Sequence, residues 1–303
     1  MNGRKDGAPP HRDPPSHSTA RLDASVLTML VDAKQVASAI GANCRVRLRR
    51  LPGLPAGRHP IVVEIWQVTN GRLELGGLDM HTWSRRAGRA LGDVLSVSRG
   101  STLGRTLGAM GEKVSALGSK TLGSFNEVLV TVPNVVVGGD RSRLVSWVLG
   151  MYTDSPVSMW GDRLTGFGFG KRLGIIKRSA RGDCEVRSLD GERLMIAALQ
   201  PRGARRHGRT RAAAVVRRWM TRPLVGRPAP TVLARSHFRR LFAGPDVRIQ
   251  GVAGELFVAK GFLEGLDPVR LAIEPSGAGR PYGGFTAECL DVKLSFPIRL
   301  LPK

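Results

Sequence analysis

The segment from Phe125 to Val137 has the sequence FNEVLVTVPNVVV, which is typical of β-structure. Its apolar residues are mostly β-branched, and they alternate with polar residues or follow one another, as in strands with one or both faces buried. Proline cannot donate a ladder hydrogen bond. The segment is therefore expected to form either one long strand or two short strands separated at Pro133-Asn134.

Comparable segments recur along the chain. Strands are expected over Ser25–Val31 and His59–Val68, a strand or hairpin over Leu144–Trp160, and a short helix around Ala33–Ile40. Further short strands are expected at 173–178, 183–188, 194–199, 246–253, 255–260 and 286–297. Many short strands between Gly and Pro turns, with few long helices, predict a mainly β protein: a β-rich barrel or sandwich with flanking helices.

The domain organisation is indicated by composition. Residues 1–22 contain four prolines and almost no apolar side chains, so a disordered, basic tail is expected there. Residues 23–303 are expected to form a single domain. Within it, residues 81–122 are expected to be a helical insertion, because apolar residues recur there at the spacing of one helix face. These residues are Leu103, Leu107, Met110, Val114 and Leu117.

The formal net charge of +23 suggests an affinity for anions. Eight arginines and no acidic residue lie between Arg202 and Arg222, which leaves nucleic acid or an anionic membrane open as partners. The other arginines are spread along the chain. Neither partner is therefore favoured over a solvated basic surface.

The cysteines bear on the cellular compartment. Cys44, Cys184 and Cys289 are widely spaced and odd in number, which argues against a disulfide framework and fits a reducing compartment. The sequence shows no secretory signal and no apolar stretch long enough to cross a bilayer. A cytoplasmic protein is expected.

Several kinds of site are excluded by motif spacing. A phosphate-binding P-loop requires Gly-x-x-x-x-Gly-Lys followed by Ser or Thr, whereas Thr165 stands five residues before Gly170 and Arg172 follows Lys171. The six histidines form no ligand set at metal spacing, and no Gly-x-Ser-x-Gly motif occurs. We expect no metal site, no cofactor and no serine hydrolase.

Lys171 is the main catalytic candidate. The chain has nine lysines against 38 arginines, so a lysine in the segment GFGFGKR (166–172) suggests a role that arginine cannot fill. A lysine amine in apolar surroundings loses its proton more readily and can attack a carbonyl. Phe167 and Phe169 would exclude water from the amine, whereas Arg172 would repel its proton. Because adjacent strand residues face opposite sides, we favour the exclusion of water. The alternative is a solvated lysine at the end of a strand.

Three segments around Lys171 occur in a recognisable order: 147–156 (WVLGMYTDSP), 161–164 (GDRL) and 170–174 (GKRLG). Two glutamate-bearing segments precede them, 62–65 (VVEI) and 125–128 (FNEV). Together they resemble the acetoacetate decarboxylase family, in which a Met-Tyr-x-Asp strand end leads to a Gly-Arg-Glu turn and a Pro-Lys-Lys-Leu-Gly segment. The resemblance extends weakly over most of residues 25–303.

The resemblance implies an acetoacetate decarboxylase-like fold and makes Lys171 the Schiff-base lysine. It implies that Glu64 and Glu127 orient water or transfer protons. It also implies that four further residues bind the substrate or tune the pKa of the Lys171 amine: Arg172, Phe167, Phe169 and Met151.

This sequence departs from the family pattern at the lysine. Gly170 replaces the proline before Lys171, and Arg172 replaces the second lysine. The closest counterpart of the family's active-site arginine is Arg21.

The implied function is decarboxylation of a small β-keto acid through a lysine imine and an enamine. A related imine-forming aldolase or dehydratase, or a non-catalytic ligand-binding protein, remains open. A small keto-acid substrate and a homo-oligomer are the expected partners.

Overall fold

A computed structural model describes residues 17–41, 46–51, 54–75, 78–79, 124–137, 144–156, 158–159, 169–207, 223–229, 232–236, 238–241, 247–263, 265–275, 283–295 and 299–302. These residues contain 17 β-strands and one α-helix. The prediction of a mainly β protein is therefore confirmed. The helical insertion predicted at 81–122 lies outside the described residues.

The first half of the chain supplies six strands and the helix. They are β1 (His17–Asp32), α1 (Ala33–Ile40), β2 (Val46–Leu48), β3 (Arg58–Leu75), β4 (Leu78–Asp79), β5 (Ser124–Val137) and β6 (Leu144–Thr153). The second half supplies β7 (Lys171–Leu173), β8 (Ile175–Arg178), β9 (Cys184–Arg187), β10 (Arg193–His207), β11 (Leu224–Ala229), β12 (Val232–Ser236), β13 (Phe238–Leu241), β14 (Arg248–Val258), β15 (Val269–Ile273), β16 (Gly284–Ser295) and β17 (Arg299–Pro302).

Ten strands form a nearly closed barrel. Antiparallel pairing connects β8 to β9, β10, β14, β16, β1, β3, β5 and β6 in turn. The last neighbour, β7, pairs with β6 in parallel. Gly174 alone separates β7 from β8, and its amide donates to Thr153 O over 3.0 Å. A Cβ at Gly174 would lie 2.9 Å from Arg187 O, so this junction leaves no room for a side chain.

The two faces of the sheet carry two separate apolar clusters, because side chains alternate along each strand. On β3, Val63 and Ile65 belong to one cluster, which also takes residues from most of the barrel strands and from α1. We call it the interior cluster. Val62 and Trp66 belong to the other, the outer cluster, which also contains Leu224 of β11.

The predicted helix is found where it was expected. Asp32 caps α1, accepting hydrogen bonds from the amides of Lys34 at 2.7 Å and Gln35 at 3.4 Å. Val36 and Ile40 are four residues apart and both enter the interior cluster. The helix therefore closes against the barrel through one short apolar face.

The start of the ordered chain was predicted too late. Residues 17–22 were assigned to the tail, yet they form the beginning of β1 and pair with both β3 and β16. Leu22 is only 2% exposed in the outer cluster. This polar segment is ordered by its pairing with β3 and β16. Because both strands are distant in sequence, the local composition of residues 17–22 did not predict the strand. The rest of the predicted tail lies outside the described residues.

The strand predicted at 125–137 is one strand, not two. Pro133-Asn134 is accommodated inside β5 by a shift in register with β6 between Val132 and Val135. Asn134 takes a left-handed conformation with φ 59°. Pro133 O instead accepts a hydrogen bond from the ring of His59 on β3, over 2.9 Å.

Other predictions are decided only in part. Residues 202–207 of the basic segment belong to β10, and the remainder of that segment is not described. Within the described part of the chain, no helix is long and apolar enough to span a membrane. The same part contains no cluster of three or more His, Cys, Asp or Glu side chains suited to a metal ion.

Candidate active site

The register of four barrel strands aligns the sequence-predicted site residues. Glu64 on β3 lies opposite Leu129 on β5, Leu129 lies opposite Met151 on β6, and Met151 lies opposite Lys171 on β7. Side chains of paired residues share one face of a sheet. Glu127, two residues before Leu129, therefore points to that face as well.

Lys171 is largely buried and contacts the carboxyl group of Glu127. Its side chain is 9% exposed, that of Glu127 is 6% exposed, and Nζ lies 2.6 Å from Glu127 Oε1. Gly170 precedes it with φ 66°, a conformation that glycine adopts without strain and proline cannot adopt. A proline could not occupy position 170 in this backbone conformation, so glycine at this position fits the turn that leads into β7.

A third group, Ser158, completes the contact between the lysine and the glutamate. Lys171 Nζ donates to Ser158 Oγ over 2.8 Å, and Ser158 Oγ donates to Glu127 Oε1 over 2.7 Å. The three polar atoms therefore form a closed triangle. We call Lys171, Glu127 and Ser158 the lysine triad.

Ser158 was missed by the sequence analysis. It lies in a helical turn after β6, where its amide donates to Ser155 Oγ over 3.2 Å and the Met159 amide donates to Ser155 O over 3.1 Å. Ser155 is thus an N-cap, and Pro156 occupies the first helical position. The Ser-Pro pair signals this turn in the sequence, but nothing local indicates that Ser158 meets Lys171.

Glu64 is buried on the same sheet face as the lysine triad. It is 1% exposed, and its Oε2 accepts a hydrogen bond from the indole nitrogen of Trp66 over 3.1 Å. Trp66 in turn lies opposite Glu127 in the register of β3 and β5. The indole therefore stands between the two carboxylate-bearing positions.

The apolar surroundings predicted for Lys171 are present, together with polar partners that were not predicted. Phe169 is 6% exposed and packs in the outer cluster with Met151 and Leu129, which lie between Glu64 and Lys171 in the register of the four strands. Phe167 lies outside the described residues. Water is thus displaced from one side of Lys171 by apolar side chains, while Glu127 binds it from another.

The two arginines considered for the site point elsewhere. Arg172 is exposed, and its guanidinium contacts Tyr152 Oη at 3.4 Å on the face of β7 opposite Lys171. Arg21 adjoins Leu22, which packs in the outer cluster, so strand alternation directs Arg21 to the opposite face. Neither placement brings a guanidinium beside the amine.

A separate surface cleft of about 480 Å³ lies along β8, β9 and β10. Its lining includes Arg178 and Cys184, and burial lowers the pKa of the former and raises the pKa of the latter to about 12. Both shifts result mainly from loss of water around the charged form. The cleft contains no member of the lysine triad. We take the triad as the candidate active site because it brings together Lys171 and Glu127, two of the site residues predicted from the sequence.

No family profile matches this sequence, and no curated protein matches it either. Solved structures do match. MppR, an enduracididine biosynthesis enzyme in complex with pyruvate, is 15% identical over 98% of this chain and 93% of its own, with a TM-score of 0.51. An acetoacetate decarboxylase-like enzyme from Sphingomonas wittichii RW1 is 15% identical over 100% of both chains, with a TM-score of 0.50.

This chain has the acetoacetate decarboxylase-like fold. The fold that the sequence resemblance implied is thereby confirmed. Because the identity is low, the likeness extends to the architecture, and the chemistry has to be argued from the site residues themselves.

Proposed function

We propose that this protein is a Schiff-base-forming carboxy-lyase that acts on a small β-keto acid. The observation that carries the proposal is the contact, at 2.6 Å, between the amine of Lys171 and the carboxyl group of Glu127, whose side chains are 9% and 6% exposed. Transfer of one proton from the ammonium group to Glu127 leaves a neutral amine and a neutral carboxyl group. Because both side chains are largely buried, this neutral pair avoids the cost of holding two buried charges.

The neutral amine then attacks the keto carbon of the substrate. Loss of water gives a protonated imine, whose nitrogen accepts the electron pair of the breaking bond between the α-carbon and the carboxylate. Carbon dioxide leaves, and an enamine remains. Protonation of the enamine carbon and hydrolysis of the imine then release the ketone and Lys171.

The remaining site residues have roles consistent with this sequence of steps. Phe169 and Met151, which pack in the outer cluster, exclude water from the amine. Glu127 returns its proton when water leaves or when the enamine is protonated. Arg172 has no role at the amine in this proposal, because it faces Tyr152.

The second candidate is an imine-forming aldolase or dehydratase, and Glu64 favours it. Decarboxylation needs one acid to protonate the enamine, whereas aldol chemistry and dehydration also need a base to remove an α-proton. A second buried carboxylate on the same sheet face could serve as that base. The complex of MppR with pyruvate makes a 2-keto acid a reasonable substrate class for this alternative.

Product analysis distinguishes the two candidates. The protein is incubated with acetoacetate, with release of carbon dioxide measured, and with pyruvate in D2O, with exchange of the methyl protons followed by NMR. Lys171→Arg should abolish both reactions, whereas the matched control Lys177→Arg, at an exposed position on β8, should abolish neither. Release of carbon dioxide that survives Lys171→Arg would refute the proposal. Exchange without decarboxylation would favour the second candidate.

A further inference from the structure

Ser158 is placed to contact the reacting nitrogen directly. Its hydroxyl oxygen lies 2.8 Å from Lys171 Nζ and 2.7 Å from Glu127 Oε1. An ammonium group can only donate hydrogen bonds and a carboxylate can only accept them. The hydroxyl must therefore accept a hydrogen bond from Lys171 and donate one to Glu127. These two hydrogen bonds define a path for a proton from Lys171 through Ser158 to Glu127.

The position of this hydroxyl is fixed by the chain that follows β6. Thr153 is fully buried, and its Oγ1 accepts from the amide of Ser155, over 3.1 Å. Ser155 Oγ then accepts from the amide of Ser158. Because these bonds anchor the helical turn to the end of β6, Ser158 is held beside β7 by the same strand that aligns Lys171.

Imine chemistry at Lys171 requires a group that both gives and takes protons. The ammonium must lose a proton before attack, and the carbinolamine hydroxyl must gain one before it leaves as water. Once Nζ is bonded to the substrate carbon, its geometry changes, so a direct path to Glu127 cannot serve every step. A hydroxyl can accept and donate at once.

We propose that Ser158 is a catalytic residue that relays protons between Lys171 and Glu127 during formation and hydrolysis of the imine. The inference rests on the proposed function. In the first step, Nζ gives a proton to Ser158 Oγ while Oγ gives its own proton to Glu127. The serine is unchanged, the amine is neutral, and the carboxyl group holds one proton. In the dehydration step the carboxyl proton joins the departing hydroxyl group, the C–O bond breaks, and water leaves.

The same contacts disfavour Ser158 as a nucleophile. In a Ser-Lys hydrolase the neutral lysine accepts the serine proton. Here the lysine donates to the serine, and the serine proton is directed at Glu127. Acyl transfer to Ser158 is therefore not the reaction that this geometry supports.

The relay is tested by the rate of imine trapping as a function of pH. The full chain is mixed with cyanoborohydride and either acetoacetate or pyruvate, and the mass adduct is followed in the unmodified protein and in Ser158→Ala, Ser158→Thr and Lys171→Arg. Ser179→Ala is the matched control, because the Ser179 hydroxyl bonds only within the β8–β9 turn, to Asp183 and the amide of Arg181. Circular dichroism reports whether each variant is folded.

We expect Ser158→Ala to slow trapping about 100-fold and to change its pH dependence, in line with loss of one general acid–base group. Ser158→Thr, which keeps a hydroxyl, should restore most of the rate, and Ser179→Ala should match the unmodified protein. Trapping by Ser158→Ala with the rate and pH profile of the Ser179→Ala control would overturn the relay alone, and so would a folded Ser158→Thr that traps as slowly as Ser158→Ala. Labelling of Ser158 by a fluorophosphonate would also overturn it. Absence of an adduct in the unmodified protein with both acetoacetate and pyruvate would overturn the proposed function and the relay together.

Discussion

At the scale of single residues, the properties of Lys171 result from the groups around it rather than from the lysine itself. Phe169 and Met151 pack in the apolar cluster on the same sheet face, and Glu127 and Ser158 contact the amine; in the proposed mechanism the first pair excludes water and the second moves the proton. The exclusion of water, favoured from the sequence over charge repulsion by Arg172, is consistent with this arrangement. The polar half of the site was only partly anticipated: Glu127 through the family resemblance, Ser158 not at all.

Phe169→Ser and Arg172→Ala test which neighbour controls the reactivity of the amine. Phe169→Ser should slow imine trapping with pyruvate at neutral pH, because the serine admits water to the outer cluster. Arg172→Ala should leave the rate unchanged, since its guanidinium contacts Tyr152 on the opposite face. The measurement is the pH profile of trapping for both variants. A larger effect of Arg172→Ala would show that charge repulsion dominates.

At the scale of structural elements, local pattern predicted where strands lie but not how long they are. Helix α1 was predicted correctly because its cap and its apolar spacing lie within nine residues, Asp32 to Ile40. The continuity of β5 across Pro133 was left open, because it depends on Asn134 adopting a positive φ and on β6, which pairs with β5 on both sides of the proline, together with β3 before it and β2 after it. Likewise, the helical turn that carries Ser158 meets β7 only in the folded barrel.

His59 links β3 to β5 and should make the stability depend on pH. Burial lowers the pKa of His59 below its usual value of 6.5, which outweighs the opposing effect of the hydrogen bond to Pro133 O. The unfolded chain therefore binds this proton more tightly than the folded protein does. The resulting stability is fully present above pH 6.5 and is lost as the pH falls from there towards the lower folded-state pKa.

We expect urea unfolding of the unmodified protein to show a decline of up to about 1.4 kcal/mol per pH unit in that window from this one group. His59→Gln, which cannot be protonated, should lose this component of the slope. An identical dependence of the unfolding free energy on pH in the variant and in the unmodified protein would contradict the assignment.

The close pairing of β10 and β14 should depend on Gly254. Its φ is 156°, and a Cβ there would lie 1.9 Å from Ala198 O, within the partner strand's backbone. Gly254→Ala should therefore lower the unfolding free energy by about 3 kcal/mol or more. Gly191→Ala is the control, because φ is 88° but no atom lies within 4 Å of the added Cβ, so about 1–2 kcal/mol of backbone strain is expected. Equal losses in chemical denaturation would show that the close approach does not matter.

At the scale of the whole molecule, the order of elements was more predictable than their closure. Alternating apolar segments indicated a barrel or sandwich. The resemblance around Lys171 indicated the acetoacetate decarboxylase-like fold. The closure itself depends on pairings between distant segments, such as β1 with β16, which the sequence does not encode locally. The start of β1 at His17 was missed for the same reason.

The net charge of +23 should not make the protein a specific nucleic-acid binder. We expect binding to duplex DNA or to anionic vesicles to weaken steeply with added salt and to show no preference among DNA sequences, as for nonspecific attraction by a basic surface. Fluorescence anisotropy and vesicle sedimentation across a salt series would measure this. Tight binding to one DNA sequence at physiological salt would contradict the expectation and revive the basic segment at 202–222 as a functional site.

The central claim is that Lys171 forms the imine, and the most direct measurement locates the trapped adduct. The protein is treated with borohydride in the presence of acetoacetate or pyruvate, digested, and analysed by peptide mass spectrometry. We expect one stable adduct on the peptide that contains Lys171, present in Lys177→Arg and absent in Lys171→Arg. An adduct on another lysine, or one that persists in Lys171→Arg, would contradict it.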